Sequence, residues 1–227
     1  RGEDTPASDV DLLVALDDGV GLVALSALER ELTDLLGVRV DVVPADFSLG
    51  MLRVGHRRRS DLGFTAADAM RLPFADASFD IVFRQGLLEH FRRPVDLLRE
   101  NHRVLRAGGH LLVDVPQRWH YYTLMKHVLM AANRWFAGWE TEFSARELSS
   151  LMRQAGFEVA VETNGTCLAP EGIDWTTVSP KADANTILTR GDELKLVYPQ
   201  EGAPPEGYAD WDFKAFYLQP MYGPDLE

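Results

Sequence analysis

The sequence contains a single cysteine, Cys167, among its 227 residues. One thiol can form no disulfide within the chain and cannot hold a thiolate metal cluster, so we expect no iron–sulfur cluster and a cytoplasmic location. The chain also lacks an uninterrupted apolar run long enough to span a bilayer, and no signal peptide is visible after Arg1. We therefore expect no membrane partner. Because the sequence starts at Arg1 with an acidic stretch before the first strand, we also expect that the chain lacks its natural N-terminus.

Lysine is scarce and unevenly distributed. Lys126 is the only lysine before residue 158, and the other lysines all lie after that position. The net charges of residues 1–46, 47–157 and 158–227 are −8, +5 and −9, and the whole chain has a net charge of −12. Such an acidic balance argues against general nucleic-acid binding, which needs surface cations to displace counterions. The changes in composition at residues 46 and 157 predict that the three blocks are separate pieces.

The first block has the pattern of a strand, a helix and a second strand, predicted over residues 10–16, 22–36 and 38–43. A loop with the sequence LDDGVG joins the first strand to the helix. Gly19 and Gly21 in this loop would let the backbone approach a nucleotide cofactor. A plain turn is the alternative interpretation, because the third glycine of such loops is absent.

Three aspartates of the first block are candidate metal ligands. Asp9 and Asp11 lie two residues apart on the first strand, so they project from the same face, and Asp41 on the second strand can join them. Carboxylate oxygens are the ligands that Mg²⁺ prefers. SDVDLLV, followed after the helix by VDVV, resembles the minimal nucleotidyltransferases of toxin–antitoxin type, which implies metal-dependent nucleotidyl transfer by this triad. The alternative is a solvated acidic strand end.

The middle block alternates strands and helices, which is typical of a parallel sheet with helices on both faces. We predict helices over residues 51–59, 95–105 and 145–154, and strands over residues 62–66, 81–84 and 110–115. This pattern predicts an α/β, Rossmann-like fold for residues 47–157.

The motifs of the middle block resemble those of class I methyltransferases that use S-adenosylmethionine. The resemblance lies in DAMRLPFADASFDIV at residues 68–82, LLEHF at 87–91 and RENHRVLRAGG at 99–109. It covers nearly half of the chain. It implies S-adenosyl-L-methionine as the cofactor and transfer of a methyl group to a small-molecule acceptor that the sequence does not identify.

The same resemblance implies which residues surround the cofactor. Asp46, after the second strand of that fold, would accept hydrogen bonds from both ribose hydroxyls. Asp68 and the Ala69 backbone would face the adenine edge, and Met70 would cover its ring. Gln85, just past the fourth strand, would lie near the methionine end of the cofactor.

Glu89 and His90 are the candidate catalytic residues of the block. A histidine base would assist only an acceptor that must lose a proton, and a structural role at the start of a helix is the alternative. The loop with Gly19 and Gly21 takes the place of the family's Gly-rich cofactor contact. Its two aspartates would repel the cofactor carboxylate, so we expect weakened cofactor binding.

The last block is predicted to be strand-rich, with strands over residues 158–162, 176–178, 194–198 and 216–218. ETNGT, VSPK, DELKLV and LQPM, in this order, resemble 7-carboxy-7-deazaguanine synthase, a radical S-adenosylmethionine enzyme of deazapurine biosynthesis. The resemblance implies cofactor or substrate contacts from Glu162, Asn164, Ser179, Lys181, Gln219 and Pro220. The radical reaction needs three cluster cysteines, so Cys167 alone excludes it for this chain by itself. The first strand of the block could instead complete the preceding sheet.

The three blocks together predict an apparent mosaic, with a Rossmann-like core and a strand-rich C-terminal segment. The function that fits best is a methyltransferase-like enzyme, impaired in its cofactor site. The alternatives are a fragment of 7-carboxy-7-deazaguanine synthase, a fragment of a metal-dependent nucleotidyltransferase, and a composite without activity.

Overall fold

The computed structural model describes residues 10–15, 29, 32–34, 37–135 and 139–221, which fall into two units. The first unit consists of Arg1–Ser144 and Gln154–Gly156, and the second of Ala145–Arg153 and Phe157–Glu227. Each unit contains its own parallel sheet. Within the described ranges, no helix combines the length and the apolar character needed to cross a membrane.

The first unit is built on a five-stranded sheet. Its strands are β1 (Val10–Ala15), β2 (Val40–Asp46), β3 (Thr65–Ala66), β4 (Phe79–Gln85) and β5 (Leu105–Asp114). Its helices are α1 (Leu49–Arg58), α2 (Pro94–Val104) and α3 (Tyr121–Ala131), with a 3-10 turn at Leu88–His90. Glu29 and residues 32–34 are also helical.

The strands of this sheet are all parallel, in the order β3-β2-β1-β4-β5. Central strand β1 pairs on both sides, with Leu12 opposite Val42 on β2 and opposite Ile81 on β4. The chain therefore reverses direction across the sheet between β1 and β4. In open α/β sheets, ligands bind in the crevice beyond the carboxyl ends of strands at such a point. The predicted α/β, Rossmann-like fold is confirmed.

Helices cover both faces of this sheet. Val54 of α1 packs against a core cluster of β1 and β2 residues, and Ile81 and Phe83 of β4 pack against the same cluster. Arg84, the next residue along β4, contacts Asn101 of α2 instead. Because successive strand residues project from opposite faces, α1 and α2 lie on opposite sides of the sheet.

Both helices begin where the local sequence favours it. The Ser48 hydroxyl accepts a hydrogen bond from Met51 N at 3.3 Å and so caps the amino end of α1. Pro94 occupies the first turn of α2, where its missing N–H costs no helical hydrogen bond. Leu97, Leu98 and other residues on one stripe of α2 are buried, as the sequence periodicity predicts.

The second unit contains helix α4 (Ala145–Gln154, shared at its end with the first unit) and a four-stranded parallel sheet. The sheet has the order β6 (Ala160–Thr163), β7 (Trp175–Val178), β8 (Arg190–Tyr198) and β9 (Asp212–Pro220), with a 3-10 turn at Pro205–Tyr208. One face of the sheet packs on a core formed by Val178, Leu188, Leu194, Leu196, Ala203 and Phe213.

Two details of the strands differ from the sequence predictions. β6 pairs with β7, so the possibility that it completes the first sheet is wrong. β5 begins directly at Leu105, whereas the sequence predicts that the helix extends to residue 105 and that the strand begins only at residue 110. Leu105 pairs with Phe79, and the register then shifts before His110 pairs with Ile81, so Gly108 and Gly109 form an irregularity inside a longer strand.

Candidate functional site

A cavity of about 230 Å³ lies beyond the carboxyl ends of β2 and β4 and beside the loop that follows β3. Its walls combine acidic, cationic and apolar groups. They are Ala45, Asp46, Phe47, Ala67, Asp68, Ala69, Leu72, Arg84, Leu87 and Phe91. This is the edge of the sheet at which Rossmann-like folds bind ligands.

Local hydrogen bonds hold the two carboxylates of the cavity. Asp46 Oδ1 accepts a hydrogen bond from Ser48 N, and the Asp46 carbonyl accepts one from Ala67 N at 2.9 Å. Asp68 Oδ1 accepts one from Met70 N at 2.9 Å. Each carboxylate is thus oriented by the backbone just after it, which is a common arrangement for aspartate in turns.

The loop that carries Asp68 is clamped to α2. Glu100 Oε1 accepts a hydrogen bond from Leu72 N at 2.7 Å. Arg103 donates to the carbonyls of Leu72 at 3.1 Å and Phe74 at 2.8 Å, and it pairs with Glu100 at 2.7 Å. The hydrogen bond from Arg103 holds the pKa of Glu100 below its usual value. These contacts position the loop wall of the cavity without help from a ligand.

Arg84 is the cationic group of the cavity and is almost completely buried. Burial lowers the pKa of its guanidinium to about 10, although the negative charge of Glu100 opposes the effect. Its side chain donates to Asn101 Oδ1. A cation at this position favours a ligand group of negative or partly negative charge.

Glu89 and His90 lie in the 3-10 turn after β4, and α2 begins only at Pro94. Glu89 is buried, and its Oε2 has no hydrogen-bond partner among the described residues. Burial raises the pKa of the Glu89 carboxyl, and the nearby charges of Glu140 and Asp114 raise it further. The carboxyl is therefore easier to protonate than an ordinary glutamate.

His90 is exposed, and its Nδ1 lies 3.2 Å from the carbonyl oxygen of Trp139. A carbonyl can only accept, so Nδ1 carries the hydrogen and Nε2 of the neutral ring holds the lone pair. The ring orientation therefore leaves Nε2 as the basic atom. The backbone carbonyl of Glu89 also accepts from Thr141 N at 2.9 Å, which ties the turn to the same segment.

A buried ion-pair cluster supports that segment. Lys126 Nζ lies 3.1 Å from Glu140 Oε2 and 2.8 Å from Glu142 Oε1, and its side chain is 2% exposed. Burial acts to lower the pKa of Lys126, but the hydrogen bonds that it donates to the Glu142 and Glu140 carboxylates outweigh it, so the pKa is raised. Burial likewise acts to raise the pKa of Glu142, but Lys126 outweighs it and the pKa is lowered. Lys126 and Glu142 are therefore both charged at neutral pH.

The structure brings together part of the cofactor set that the sequence suggested. Asp46, Asp68 and Ala69 all line the cavity. Met70 is not among its lining residues, and Gln85 is directed to Asp114, with Nε2 3.5 Å from Oδ2. The apolar walls Phe47, Leu72, Leu87 and Phe91 have no signal in the sequence, because loops bring these residues to the cavity.

The residues suggested near the N-terminus are only partly described. Asp9, Gly19 and Gly21 lie outside the described residues. Asp11 and Asp41 are opposite each other in the β1–β2 register, near the amino ends of the strands and away from the cavity. The Asp41 carboxylate pairs with Arg39 at 2.8 Å. Among the described residues, no group of three possible ligands could hold a metal ion.

In the second unit, the suggested ligand residues gather at one edge of the sheet. Asn164, Ser179 and Gln219 lie at or just after the carboxyl ends of β6, β7 and β9. Because the strands are parallel, these ends share one edge, where parallel sheets bind ligands. Pro220 ends β9 at the same edge, opposite Tyr198.

Several of these side chains already have partners. Lys181 Nζ donates to Ser179 Oγ at 3.2 Å, and Ser179 is buried. Glu162 pairs with Lys195 at 2.7 Å. Asn164 Oδ1 accepts from Thr166 N and Oγ1 at 3.1 and 2.8 Å, so it shapes the turn that follows β6. The described contacts therefore order this edge internally.

Each of the known proteins reported below matches only part of the chain. Residues 19–113 match the family described as "Methyltransferase domain". A demethylmenaquinone methyltransferase of Renibacterium salmoninarum is 53% identical over 74 residues, which are 33% of this chain and 31% of that protein. A 7-carboxy-7-deazaguanine synthase of Caulobacter vibrioides is 66% identical over 72 residues, which are 32% of this chain and 34% of that protein. The chain thus spans about a third of the length of these curated relatives.

A solved structure from Bacillus halodurans, assigned as a methyltransferase, aligns with 66% of this chain and 64% of its own, with a TM-score of 0.51 and 21% identity. This likeness concerns the fold. The family match begins at residue 19, so it reaches into the block that resembles a nucleotidyltransferase. Residues 19–113 therefore match the methyltransferase domain family, and the five-stranded sheet has a Rossmann-like fold similar to that of a solved structure assigned as a methyltransferase.

Proposed function

We propose that the first unit binds S-adenosyl-L-methionine and transfers its methyl group to a small-molecule acceptor. The observation that carries the proposal is the cavity at the carboxyl ends of β2 and β4, within a chain segment that matches the methyltransferase domain family. When bound, the cofactor would supply an electrophilic methyl group. The remaining work would be the positioning of donor and acceptor.

The polar and apolar groups that line the cavity fit a nucleoside. Asp46 would accept hydrogen bonds from a pair of ribose hydroxyls, because its carboxylate is held at the strand end. Asp68 and the Ala69 backbone would meet the polar edge of the base, while Phe47 and Leu72 offer apolar walls to its faces. A cavity of about 230 Å³ is smaller than the 300–1,000 Å³ of typical ligand pockets, so it would hold part of the cofactor.

The acceptor end of the site would lie at Glu89 and His90. His90 Nε2 would take a proton from an acceptor that must be deprotonated, because its Nδ1 is committed to the Trp139 carbonyl. Glu89, with its raised pKa, would donate a hydrogen bond to the acceptor when protonated or orient it when ionised. The relative from Renibacterium salmoninarum suggests a demethylmenaquinone-like acceptor.

Calorimetric titration with S-adenosylhomocysteine tests the proposal. We expect a Kd of about 10 μM or tighter for the full chain. Asp68→Asn should weaken binding roughly tenfold or more, because a charged hydrogen-bond acceptor is lost. Asp210→Asn, an exposed aspartate of the second unit, is the matched control and should bind as the parent does. A cooperative melt without binding would overturn the proposal and favour a composite without activity.

We also infer a ligand site at the carboxyl edge of the second sheet. Support comes from the 66% identity over 72 residues to a 7-carboxy-7-deazaguanine synthase and from the shared edge of Asn164, Ser179 and Gln219. The chain contains one cysteine, so the site would bind a deazapurine without radical chemistry. Titration with 7-carboxy-7-deazaguanine should give binding that Ser179→Ala weakens, and binding that Ser179→Ala leaves unchanged would overturn the assignment.

The mosaic origin of the chain is a separate hypothesis. It is motivated by the charges of the three blocks and by the two unrelated curated relatives. Long sequencing reads across the source locus would support it by showing separate genes. One continuous reading frame with a full N-terminus at that locus would refute it.

A further inference from the structure

Helix α3 has the reverse of the usual polarity of a surface helix. Its exposed stripe consists of Tyr121, Leu124, Met125 and Val128, which recur at the three- and four-residue spacing of one helix face. Leu124 and Val128 are 69% and 61% exposed. We refer to these four residues as the α3 apolar face. A helix in a soluble domain normally turns such a stripe inward.

Polar contacts on the other side fix this orientation. Thr123 and Lys126 are buried, and the Thr123 hydroxyl donates to the Gln117 carbonyl at 2.6 Å. Lys126 is neutralised by Glu140 and Glu142. Burying a lysine is costly unless it is paired, so rotation of α3 to hide its apolar face would break both ion pairs. The exposure of the apolar face is therefore built into the packing of the helix.

Lys126 and its partners Glu140 and Glu142 pair with one another, so they leave Arg118 and Arg134 as the other charged residues within residues 115–139, which contain no aspartate or glutamate. The whole chain has a net charge of −12. Arg134 is exposed just after α3. Arg92 is a further cation, and its guanidinium lies 4.9 Å from the ring centre of Trp139. An anionic surface can approach the chain here, whereas the acidic remainder would repel it.

Tryptophans flank the apolar face in sequence. Trp119, just before α3, is 83% exposed, and Trp139 is about half exposed. Tryptophan is enriched where a protein meets the boundary between water and lipid, because its ring is apolar and its N–H is polar. An apolar helix face, with tryptophans and arginines close to it in sequence, is typical of a helix that lies in the plane of a membrane surface.

We propose that the α3 apolar face docks on an anionic lipid surface. A second copy of the chain is a poorer occupant, because a symmetric contact would bring the arginines of both copies together. The expectation of no membrane partner was based on the lack of a spanning segment, and a helix that lies on a membrane needs none. The apolar side chains would enter the headgroup boundary while Arg134 meets lipid phosphates.

Vesicle cosedimentation of the full chain tests this proposal. We expect binding to phosphatidylcholine vesicles that contain about one third phosphatidylglycerol, and weaker binding to phosphatidylcholine alone. High salt should reduce the difference between the two, because it screens the arginines. Fluorescence of Trp119 should shift to the blue on binding, and Trp119→Phe should remove that shift.

Variants separate the apolar and the electrostatic contributions. Leu124→Glu with Val128→Glu should lower partitioning roughly tenfold or more, because two side chains can no longer enter the lipid. Leu168→Glu with Ile187→Glu changes two exposed apolar residues of the second unit and should leave partitioning unchanged. Arg134→Glu should weaken binding to the anionic vesicles alone.

Three outcomes would overturn the proposal. They are a lack of sedimentation with both vesicle types, equal binding by the Leu124→Glu, Val128→Glu variant, and equal binding to neutral and anionic vesicles. Sedimentation equilibrium tests the alternative that a second copy of the chain contacts this face. A parent dimer that this variant converts to a monomer, without lipid binding, would identify the face as a contact between copies.

Discussion

Arg84 Nε and Nη2 both donate to Asn101 Oδ1, at 3.2 and 3.1 Å, across the interface between β4 and α2. Both residues are almost fully buried. The amide oxygen of Asn101 thus supports a guanidinium that also lines the candidate cofactor cavity. This pair connects the stability of the sheet to the shape of the site.

Removal of that amide should destabilise the protein. Asn101→Ala leaves a buried guanidinium without its acceptor, and we expect the free energy of unfolding to fall by about 2–3 kcal/mol. Asn101→Asp, which keeps the acceptor and adds a negative charge, should cost less. Urea denaturation of the two variants provides the measurement. A loss within about 0.5 kcal/mol for Asn101→Ala would show that another group supports Arg84.

Glu89 should make stability depend on pH in a defined direction. Its pKa in the folded protein is raised by burial, so its contribution is fully present below the unfolded value of 4.5 and is lost as pH rises through the folded value. Glu89→Gln should therefore melt at a higher temperature than the parent at pH 7 and at a similar temperature below about pH 4. Thermal melts across this range would contradict the idea if the difference between the proteins were constant.

The ion-pair cluster at Lys126 predicts a large mutational effect. Lys126→Met leaves Glu140 and Glu142 as buried charges without their cation, and we expect a loss of about 3–5 kcal/mol. Combination with Glu140→Gln and Glu142→Gln should restore most of this stability, because the unpaired charges are gone. Chemical denaturation of the single and triple variants measures both effects. Equal stability of these two variants would exclude charge burial as the cause.

Two glycines of α1 should respond oppositely to alanine. A Cβ at Gly55 would lie 2.4 Å from Cε1 of Phe64, whereas one at Gly50 would meet only the Ser48 hydroxyl, at 3.5 Å. Gly55→Ala should cost about 1–3 kcal/mol, because the Phe64 ring must move. Gly50→Ala should raise the free energy of unfolding by as much as about 1 kcal/mol, because alanine has a higher helix propensity than glycine. Stability of both variants by urea denaturation is the test, and a gain for Gly55→Ala would show that Phe64 yields freely.

Asp192 should make the stability of the second unit depend on pH in the acid range. Its carboxylate accepts from Thr176 N at 2.7 Å and pairs with Lys214, and these partners, Lys214 first, lower its pKa. The resulting stability is present above the unfolded pKa of 3.8 and is lost as pH falls through the folded value. Asp192→Asn should therefore melt earlier than the parent at pH 7, with the gap closing below about pH 3. The tryptophan fluorescence of the second unit reports the melt, and Asp210→Asn is the control.

The sequence predicted the regular elements of the sheet better than it predicted the cavity. The apolar spacing of α2 and the buried run of β4 are local patterns, so their positions were predicted to within a few residues. Phe47 and Phe91 reach the cavity through loops, which carry no periodic signal. The burial of Lys126 depends on Glu140 and Glu142, which are distant from it in sequence, so an inward-facing lysine had no local signature.

The position of β1 also bears on the order in which the protein can assemble during synthesis. β1 is translated before the other described strands of its sheet, yet one of its two neighbours, β4, is complete only once Gln85 has left the ribosome. Until then one edge of β1 stays without its strand, and edges of this kind invite pairing with other chains. By contrast, β8 and β9 follow each other closely and can pair soon after they emerge. If the first block were exchanged between genes, the incoming block would have to supply an apolar strand that can remain unpaired on one edge until β4 has been synthesised.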